Sequence, residues 1–138
     1  MPANINGVLS FKDYGILEID YQININAKSK NIELSNDNFR LTRNVSIYGN
    51  NGQLIIKVEL FEKNSNIYPF YLSFIIYGLF TNNGLNKEDF HKVLEFNGTA
   101  ILFPFIRSTV ADITKTANNG TPLLLPTINV NALFKTNE

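Results

Sequence analysis

The chain has 138 residues, of which 44% are apolar and 17% charged, and its twelve basic and twelve acidic side chains give a formal net charge of zero. This length suits one domain covering residues 1–138 with a modest core, and the neutral balance argues against nucleic-acid binding, which needs a basic patch. Because Cys is absent, disulfides, thiolate catalysis and Cys-type zinc sites are excluded.

The N-terminus lacks a basic region followed by an apolar core, and no apolar run approaches the length of a membrane span. We therefore expect neither export nor membrane insertion, and a cytoplasmic location. A chain with so few charges has little electrostatic protection against association, so we also expect an oligomer.

Residues of about 8–81 read as β-strands. Apolar and polar side chains alternate cleanly from Leu17 to Ala27, which predicts a half-buried first strand. The stretch Val8–Phe11 extends this strand backwards past Gly15, through a bend or bulge.

A second alternating stretch runs from Phe39 to Ile47 and a third from Leu54 to Phe61. The sequence Gly49-Asn50-Asn51-Gly52 between them predicts a hairpin turn, because Asn and Gly accept positive φ at low cost.

The fourth strand, Ile67–Thr81, is apolar on both faces, and Pro69 near its start indicates an edge or a bulge. A strand with two apolar faces needs a packing partner on each face to shield it from water. A helix supplies one cover, and another subunit, a ligand or both are expected to supply the other.

The region of about 86–138 is predicted to be helical. A short helix covers 86–94 with Asn86 as its cap, and Asn119-Gly120 ends a longer one. The longer helix begins at Thr99 as N-cap or near Phe103, or it bends at Pro104. Two prolines then force residues 121–126 to be extended, ahead of an apolar tail. Strands followed by helices predict an α+β domain.

No catalytic residue, metal site or cofactor site is predicted. His91 is the only histidine and is expected on the surface, and Glu88-Asp89 suit a helix N-terminus better than a metal. Glu18 and Asp20 share a strand face and are the nearest approach to a carboxylate pair, which on such a face normally serves solubility. Phosphate-binding glycine motifs are absent, so ATP use is not expected.

Eleven Phe and six Tyr are more aromatic surface than a small core absorbs easily. The strongest candidates for surface outside the monomer's core are Tyr68, Phe70, Tyr71, Leu123, Leu124, Leu125, Val130, Leu133 and Phe134. Two interpretations remain open: these side chains form core and subunit interface, or they line a groove for extended polypeptides. Apolar burial suits the second role because it reads little sequence detail.

The C-terminal third carries a family resemblance. The run ILFPFIRSTVADIT (Ile101–Thr114), a following Gly, an extended Leu/Pro segment and NVNALF (Asn129–Phe134) resemble the C-terminal half of SecB, the bacterial export chaperone. That family has an ILFPYARE-like helix start, a Leu-Ala-Pro segment and a closing PVNFDALF-like motif in the same order. Over residues 1–96 the similarity is one of strand and turn pattern only.

The resemblance implies a SecB-like fold, with a four-stranded antiparallel sheet packed against a long C-terminal helix and a homotetramer built as a dimer of dimers. It implies an ATP-independent holdase that binds unfolded preproteins in hydrophobic grooves lined by sheet edge, helix and the connection 119–127. It also implies docking on the translocase ATPase SecA, for which Glu18 and Asp20 are the candidate residues here.

One departure weakens the link to export. The sequence stops at Lys135–Glu138 without the family's acidic tail, so docking on SecA through that tail is in doubt. The alternatives are a general holdase and a non-catalytic oligomeric protein dedicated to one partner, such as an antitoxin. An enzyme of unrecognised type would need a deep polar pocket near Glu18, Asp20 or His91.

Overall fold

The computed structural model describes residues 7–28, 33–117, 120–126 and 129–137. These residues form four strands, a long helix and a short C-terminal 3-10 helix. Their bounds are β1 (Leu9–Ile23), β2 (Phe39–Tyr48), β3 (Asn51–Phe61), β4 (Phe70–Asn82), α1 (Lys87–Ala117) and the 3-10 helix (Val130–Asn137). The predicted α+β fold, a four-stranded antiparallel sheet packed against a long helix, is confirmed.

The strands lie in the order β1-β4-β3-β2, and every neighbouring pair is antiparallel. Strands β2 and β3 form the predicted hairpin, in which Tyr48 pairs with Asn51. Gly49 lies between them at φ 60°, a left-handed conformation that Gly adopts without steric cost. The two edge strands are therefore β1 and β2, which are consecutive in the chain, so the connection between them crosses from one edge of the sheet to the other.

Strand β1 is one continuous strand that runs through Gly15, as predicted from the stretch Val8–Phe11. Its register against β4 shifts between Phe11 and Asp13 and again between Ile16 and Glu18, which are the expected irregularities. The strand ends at Ile23, earlier than predicted. The buried side chain of Asn24 donates two hydrogen bonds of 2.8 Å, to the carbonyls of Glu62 and Tyr68, and these take the chain out of the ladder.

Strand β4 is central and apolar on both faces. Alternate side chains face α1 and are fully buried: Leu72, Phe74, Ile76 and Phe80. The opposite face, called here the open face, carries Tyr71, Ser73, Ile75, Tyr77 and Leu79. The strand begins at Phe70, just after Pro69, and not at Ile67, because Ser65 Oγ accepts hydrogen bonds from the N–H groups of Ile67 and Tyr68 in a turn.

The two predicted helices are one helix of 31 residues. Asn86 caps it as predicted, since its Oδ1 accepts a hydrogen bond of 2.8 Å from the Asp89 N–H. Thr99 is not an N-cap: it is buried in mid-helix, where its hydroxyl donates to the Glu95 carbonyl. Pro104 lies inside the helix and is exposed. Burial of the helix face against the sheet outweighs these local signals for a helix start.

Helix α1 lies close to the sheet because glycines occupy the strand positions beneath it. A Cβ added at Gly52 would fall 2.5 Å from Leu94 Cδ2, and one added at Gly78 would fall 3.0 Å from Leu102 Cδ1. Larger side chains at these two positions would therefore lift the helix or displace its buried leucines.

The helix ends at Ala117, and the predicted stop residue Gly120 follows it with a φ of 90°. The Gly120 N–H donates to the Lys115 carbonyl at 2.9 Å. Asn119, the other half of the predicted stop, lies outside the described residues. Residues 120–126, called here the C-terminal segment, then run back along α1. Leu123 N–H donates to Thr114 Oγ1 at 2.7 Å, and Arg107 Nε donates to the Leu125 carbonyl at 3.1 Å.

Candidate polypeptide-binding surface

The three leucines of the C-terminal segment have different environments. Leu124 is 70% exposed, Leu123 is half-buried and Leu125 is 2% exposed. An extended chain points successive side chains in opposite directions. The expectation that all three lie outside the core is therefore wrong for Leu125, and Leu124 is the one that faces solvent.

The 3-10 helix buries two further candidate residues. Val130 and Phe134 belong to the hydrophobic core, so the expectation that they are free surface is wrong for this conformation. The physical reason is that the 3-10 helix folds back against α1 and β2 and uses both side chains for the contact. For Leu133 the structure describes the backbone only, so the prediction for its side chain stays a prediction.

Arg43 of β2 contacts both α1 and the 3-10 helix, and sequence reasoning did not single it out. Its side chain is 7% exposed, and its guanidinium contacts α1 and the 3-10 helix together. Nη1 donates to the Glu95 carbonyl at 3.1 Å, to Thr99 Oγ1 at 3.1 Å and to Asn131 Oδ1 at 2.6 Å. Its position offered a signal, because it is a charged residue on the apolar side of an alternating strand.

An aromatic row runs across the end of the sheet near the β1–β2 crossing. Tyr68 stacks on Phe61 with ring centroids 5.2 Å apart, Phe61 meets Phe70 edge-on at 5.0 Å, and Phe70 stacks on Tyr21 at 5.3 Å. Tyr68 and Tyr21 are half-buried, whereas Phe70 is buried, so the expectation of an exposed Phe70 is wrong. Phe70 thus contributes to the row as a buried ring that contacts Tyr21 and Phe61.

Tyr71 does not join this row, because successive side chains of a strand point to opposite faces. It lies on the open face, where its hydroxyl bonds Glu59 Oε2 at 3.1 Å and its ring lies 5.1 Å from Lys63 Nζ. Tyr71 is 8% exposed, so the expectation of an exposed Tyr71 is wrong. The structure also separates Tyr71 from the other candidate residues.

An open apolar groove lies between β1 and the C-terminal end of α1. It has a volume of about 430 Å³ and is lined by Tyr21, Asp112, Ile113, Thr116 and Ala117. On the helix side of β1, Ile19 is 52% exposed and Ile23 is 61% exposed on either side of Tyr21. The sequence pattern predicted this apolar face of β1 to be half-buried, but α1 covers little of it at this edge. We call this surface the β1–α1 groove.

Glu18 and Asp20 lie on the open face, where they pair with Ile75 and Ser73 of β4. Gln22 Nε2 donates to Asp20 Oδ1 at 3.2 Å and Lys63 Nζ lies 3.1 Å from Asp20 Oδ2. The hydrogen bond from Gln22, followed by the bond and charge of Lys63, lowers the pKa of Asp20 below its ordinary value. These carboxylates therefore belong to a face separate from the β1–α1 groove.

Comparison with known families decides the identity of this fold. A family model described as SecB, preprotein translocase subunit, matches residues 18–138. The chain belongs to the SecB family. The resemblance of the C-terminal motifs is thereby confirmed, and it extends over most of the strands as well.

Two protein relatives agree with this assignment. The protein-export protein SecB of Nitrosococcus oceani is 32% identical over 104 residues, which cover 75% of this chain and 59% of that relative's length. An uncharacterized protein of Methanocaldococcus jannaschii is 33% identical over 138 residues, covering 94% of this chain and 84% of its own.

Two solved structures share the SecB-like fold. The Mycobacterium tuberculosis SecB-like chaperone Rv1957, in complex with a ChAD peptide from the antitoxin HigA1, superposes with a TM-score of 0.68 at 16% identity over 90% of each chain. A Streptococcus agalactiae protein of unknown function superposes with a TM-score of 0.51 at 13% identity, covering 86% of this chain and 96% of its own.

Three observations concern metal binding, the single histidine and membrane insertion in this SecB-family protein. Across the described ranges, no group of three or more His, Asp or Glu side chains is placed to hold a metal ion. His91 is exposed on α1, in a shallow depression beside Lys87 and Ile47. Among the helices that the structure describes, none is long and apolar enough to cross a membrane.

Proposed function

We propose that this SecB-family protein is an ATP-independent holdase that binds unfolded or extended polypeptides without catalysis. The observation that carries the proposal is the β1–α1 groove, an apolar depression lined by Tyr21 and Ile113, beside which Ile19 and Ile23 of β1 are more than half exposed. Isolated apolar residues on a surface are ordinary, but a contiguous apolar channel indicates a binding surface.

The groove suits clients that share no sequence. Apolar burial contributes ~25 cal/mol per Å² whatever the detailed shape of the side chain, and the ring of Tyr21 adds a broad contact face at small entropic cost. The only ionised side chain that lines the groove in the described part of the chain is Asp112. An extended client thus gains from several weak contacts, each of which can be released.

We assign client contact first to exposed or half-buried side chains. These are Tyr68, Leu123 and Leu124 from the original candidates, joined by Ile19, Tyr21, Ile23 and Ile113. Phe70 and Leu125 support this surface from the core. The open face is a separate docking surface, where Glu18 and Asp20 are the proposed contacts for SecA. Because Lys63 already pairs with Asp20, Glu18 carries the larger share of that role.

The assembly proposed for this single-domain chain is a homo-oligomer, a dimer of dimers, located in the cytoplasm. Exposed aliphatic side chains on edge strand β1 and half-buried Ile75 and Tyr77 on the open face supply apolar surface for contact between copies. Light scattering of the purified protein measures the assembly directly.

Suppression of aggregation tests the holdase. The purified protein is mixed, without nucleotide, with a chemically unfolded client as that client is diluted from denaturant. We expect light scattering to fall in proportion to the protein added and to level off at a fixed stoichiometry. If no excess of protein lowers the scattering, the holdase proposal is wrong.

A second candidate is a chaperone dedicated to one partner, such as the antitoxin of a toxin–antitoxin pair. It is favoured by the structural similarity to Rv1957, whose structure contains an antitoxin peptide. A dedicated chaperone would bind its partner's segment in the presence of excess unfolded competitor, whereas a general holdase would lose it. Competition between a cognate peptide and reduced, carboxymethylated α-lactalbumin separates the two.

A further inference from the structure

Among the described side chains, the contacts of the Arg43 guanidinium fall into two sets. The first set lies on α1 and consists of the carbonyl and carboxylate of Glu95, the hydroxyl of Thr99 and the ring of Phe96, whose centroid is 5.0 Å away. This set does not involve the C-terminal 3-10 helix. It would remain if the 3-10 helix moved away.

The second set lies on the 3-10 helix. Asn131 Oδ1 accepts the shortest of the Nη1 hydrogen bonds, at 2.6 Å, and the ring of Phe134 lies 4.0 Å from the guanidinium carbon. Asn131 also reaches α1, where its Nδ2 donates to the Phe96 carbonyl at 3.1 Å. Arg43 and Asn131 together therefore link β2, α1 and the 3-10 helix.

A buried Arg is an unexpected choice for a contact that never opens. Its neighbours on the same face of β2 are Leu41 and Val45, and a well-packed apolar residue usually serves a permanent core as well as or better than a buried charge. Arg43 makes sense if this trough between β2 and α1 opens to water. Its charge is then solvated and its α1 contacts persist, so the open trough is less costly than a purely apolar one.

We propose that Arg43 is a positioning residue, which holds the 3-10 helix in the trough between β2 and α1 as an internal occupant that client polypeptide displaces. The inference rests on the proposed holdase function. It accounts for the burial of Val130 and Phe134: they fill the trough in the closed state, and an apolar segment of an unfolded polypeptide takes their place.

The test removes the hydrogen-bonded part of the 3-10 helix contact and leaves Arg43 and the ring of Phe134 in place. Asn131→Ala deletes both side-chain bonds of Asn131, and Asn129→Ala, at an exposed position on the same stretch, is the matched control. Asn131→Asp keeps an oxygen acceptor for Arg43 and loses only the bond to Phe96. Hydrogen exchange reports opening of residues 129–137, and fluorescence anisotropy reports binding of labelled, reduced and carboxymethylated α-lactalbumin.

In Asn131→Ala we expect amide exchange in 129–137 to accelerate about tenfold or more, the effect of losing a hydrogen bond to a charged group, with exchange in the strands unchanged. Probe binding should tighten, by up to roughly the same factor, because the binding-competent open state is more populated. Asn131→Asp should restore slow exchange and weaker binding, and Asn129→Ala should resemble the wild type.

If the contact between Arg43 and Asn131 serves only to stabilise the fold, probe affinity should not rise in Asn131→Ala. If exchange accelerates while probe affinity stays level or falls, the 3-10 helix supports the client surface and does not compete for it. If exchange in 129–137 is unchanged, the hydrogen bond between Arg43 and Asn131 does not hold the helix, and the proposal is wrong. If no variant and no wild-type sample binds the probe, the competition and the holdase both fail, while the exchange contrast still decides the role of Arg43.

Discussion

Substitution of the adjacent residues Leu124 and Leu125 by Ser separates client binding from stability. Both are leucines of the same extended segment, yet one is 70% exposed and the other 2% exposed. The same chemical change therefore removes contact surface at the first position and core packing at the second. We expect Leu124→Ser to weaken binding alone and Leu125→Ser to destabilise the fold.

The size of the binding effect follows from the exposed fraction of Leu124. Full burial of a Leu side chain contributes about 1.5–3 kcal/mol, and the 70% that is exposed in the free chain makes roughly 1–2 kcal/mol of this available to a client. Since 1.4 kcal/mol is a factor of ten in Kd, Leu124→Ser should raise Kd about 5-fold to 30-fold. Its free energy of unfolding should stay within about 0.5 kcal/mol of the wild type.

The stability effect at Leu125 is larger because the side chain is enclosed. Truncating a buried Leu costs about 2–5 kcal/mol, and a Ser hydroxyl left there without a partner adds to this loss. The main-chain carbonyl of Leu125, which accepts a bond from Arg107, is retained in the variant. The lost stability would thus report packing of the side chain.

Urea unfolding and anisotropy with unfolded α-lactalbumin measure both effects in the same samples, and light scattering follows the assembly. Tyr48→Ser is the control, because Tyr48 is also strongly exposed but lies at the β2–β3 turn, away from the C-terminal segment. Unchanged binding in Leu124→Ser would remove Leu124 from the client surface. Dissociation of the oligomer in that variant would place Leu124 in a subunit interface instead.

Two further predictions concern the sheet. Gly52→Ala should lower the free energy of unfolding by about 1–3 kcal/mol, seen as a lower urea midpoint, because its Cβ would fall 2.5 Å from Leu94; an unchanged midpoint would mean that α1 does not lie this close to β3. The bonds from Gln22 and Lys63 lower the pKa of Asp20, so wild type should exceed Asp20→Asn in stability at neutral pH. This advantage should disappear as the pH falls below the ordinary Asp pKa of 3.8 and through the lowered one, and an advantage that persists in acid would contradict the ion pair's role.

Most of the sheet could be predicted from the sequence because each strand has a strong local pattern. The alternation in β2 and β3 and the turn at Gly49 fix the hairpin without information from the rest of the chain.

The bounds of helix α1 were harder to predict from the sequence. Pro104 and Thr99 are local signals for a helix start. Burial of one long face against the sheet outweighs them, and this tertiary effect is not contained in local patterns.

Exposure within the candidate surface could not be predicted in the same way. Phe70 and Tyr71 lie on opposite faces of β4 and are both buried, at 4% and 8% exposed. Leu124 and Leu125 are identical in type, so composition cannot tell which of the two faces solvent. That choice depends on how the segment lies on α1, through the bonds at Thr114 and Arg107. Ile19 and Ile23 show the converse error, since a pattern typical of a buried face lies on an edge strand that α1 leaves largely uncovered.

Arg43 shows how a break in a pattern can indicate function. On the period of two that predicted β2, it falls between Leu41 and Val45 on the apolar side, where a charged residue costs free energy unless partners satisfy it. The partners come from α1 and from a residue 88 positions later in the chain. A charged residue on an apolar strand face thus indicates a partner from a distant part of the chain. In this protein the partner is the 3-10 helix, and our proposal places its side chains Val130 and Phe134 in competition with the client.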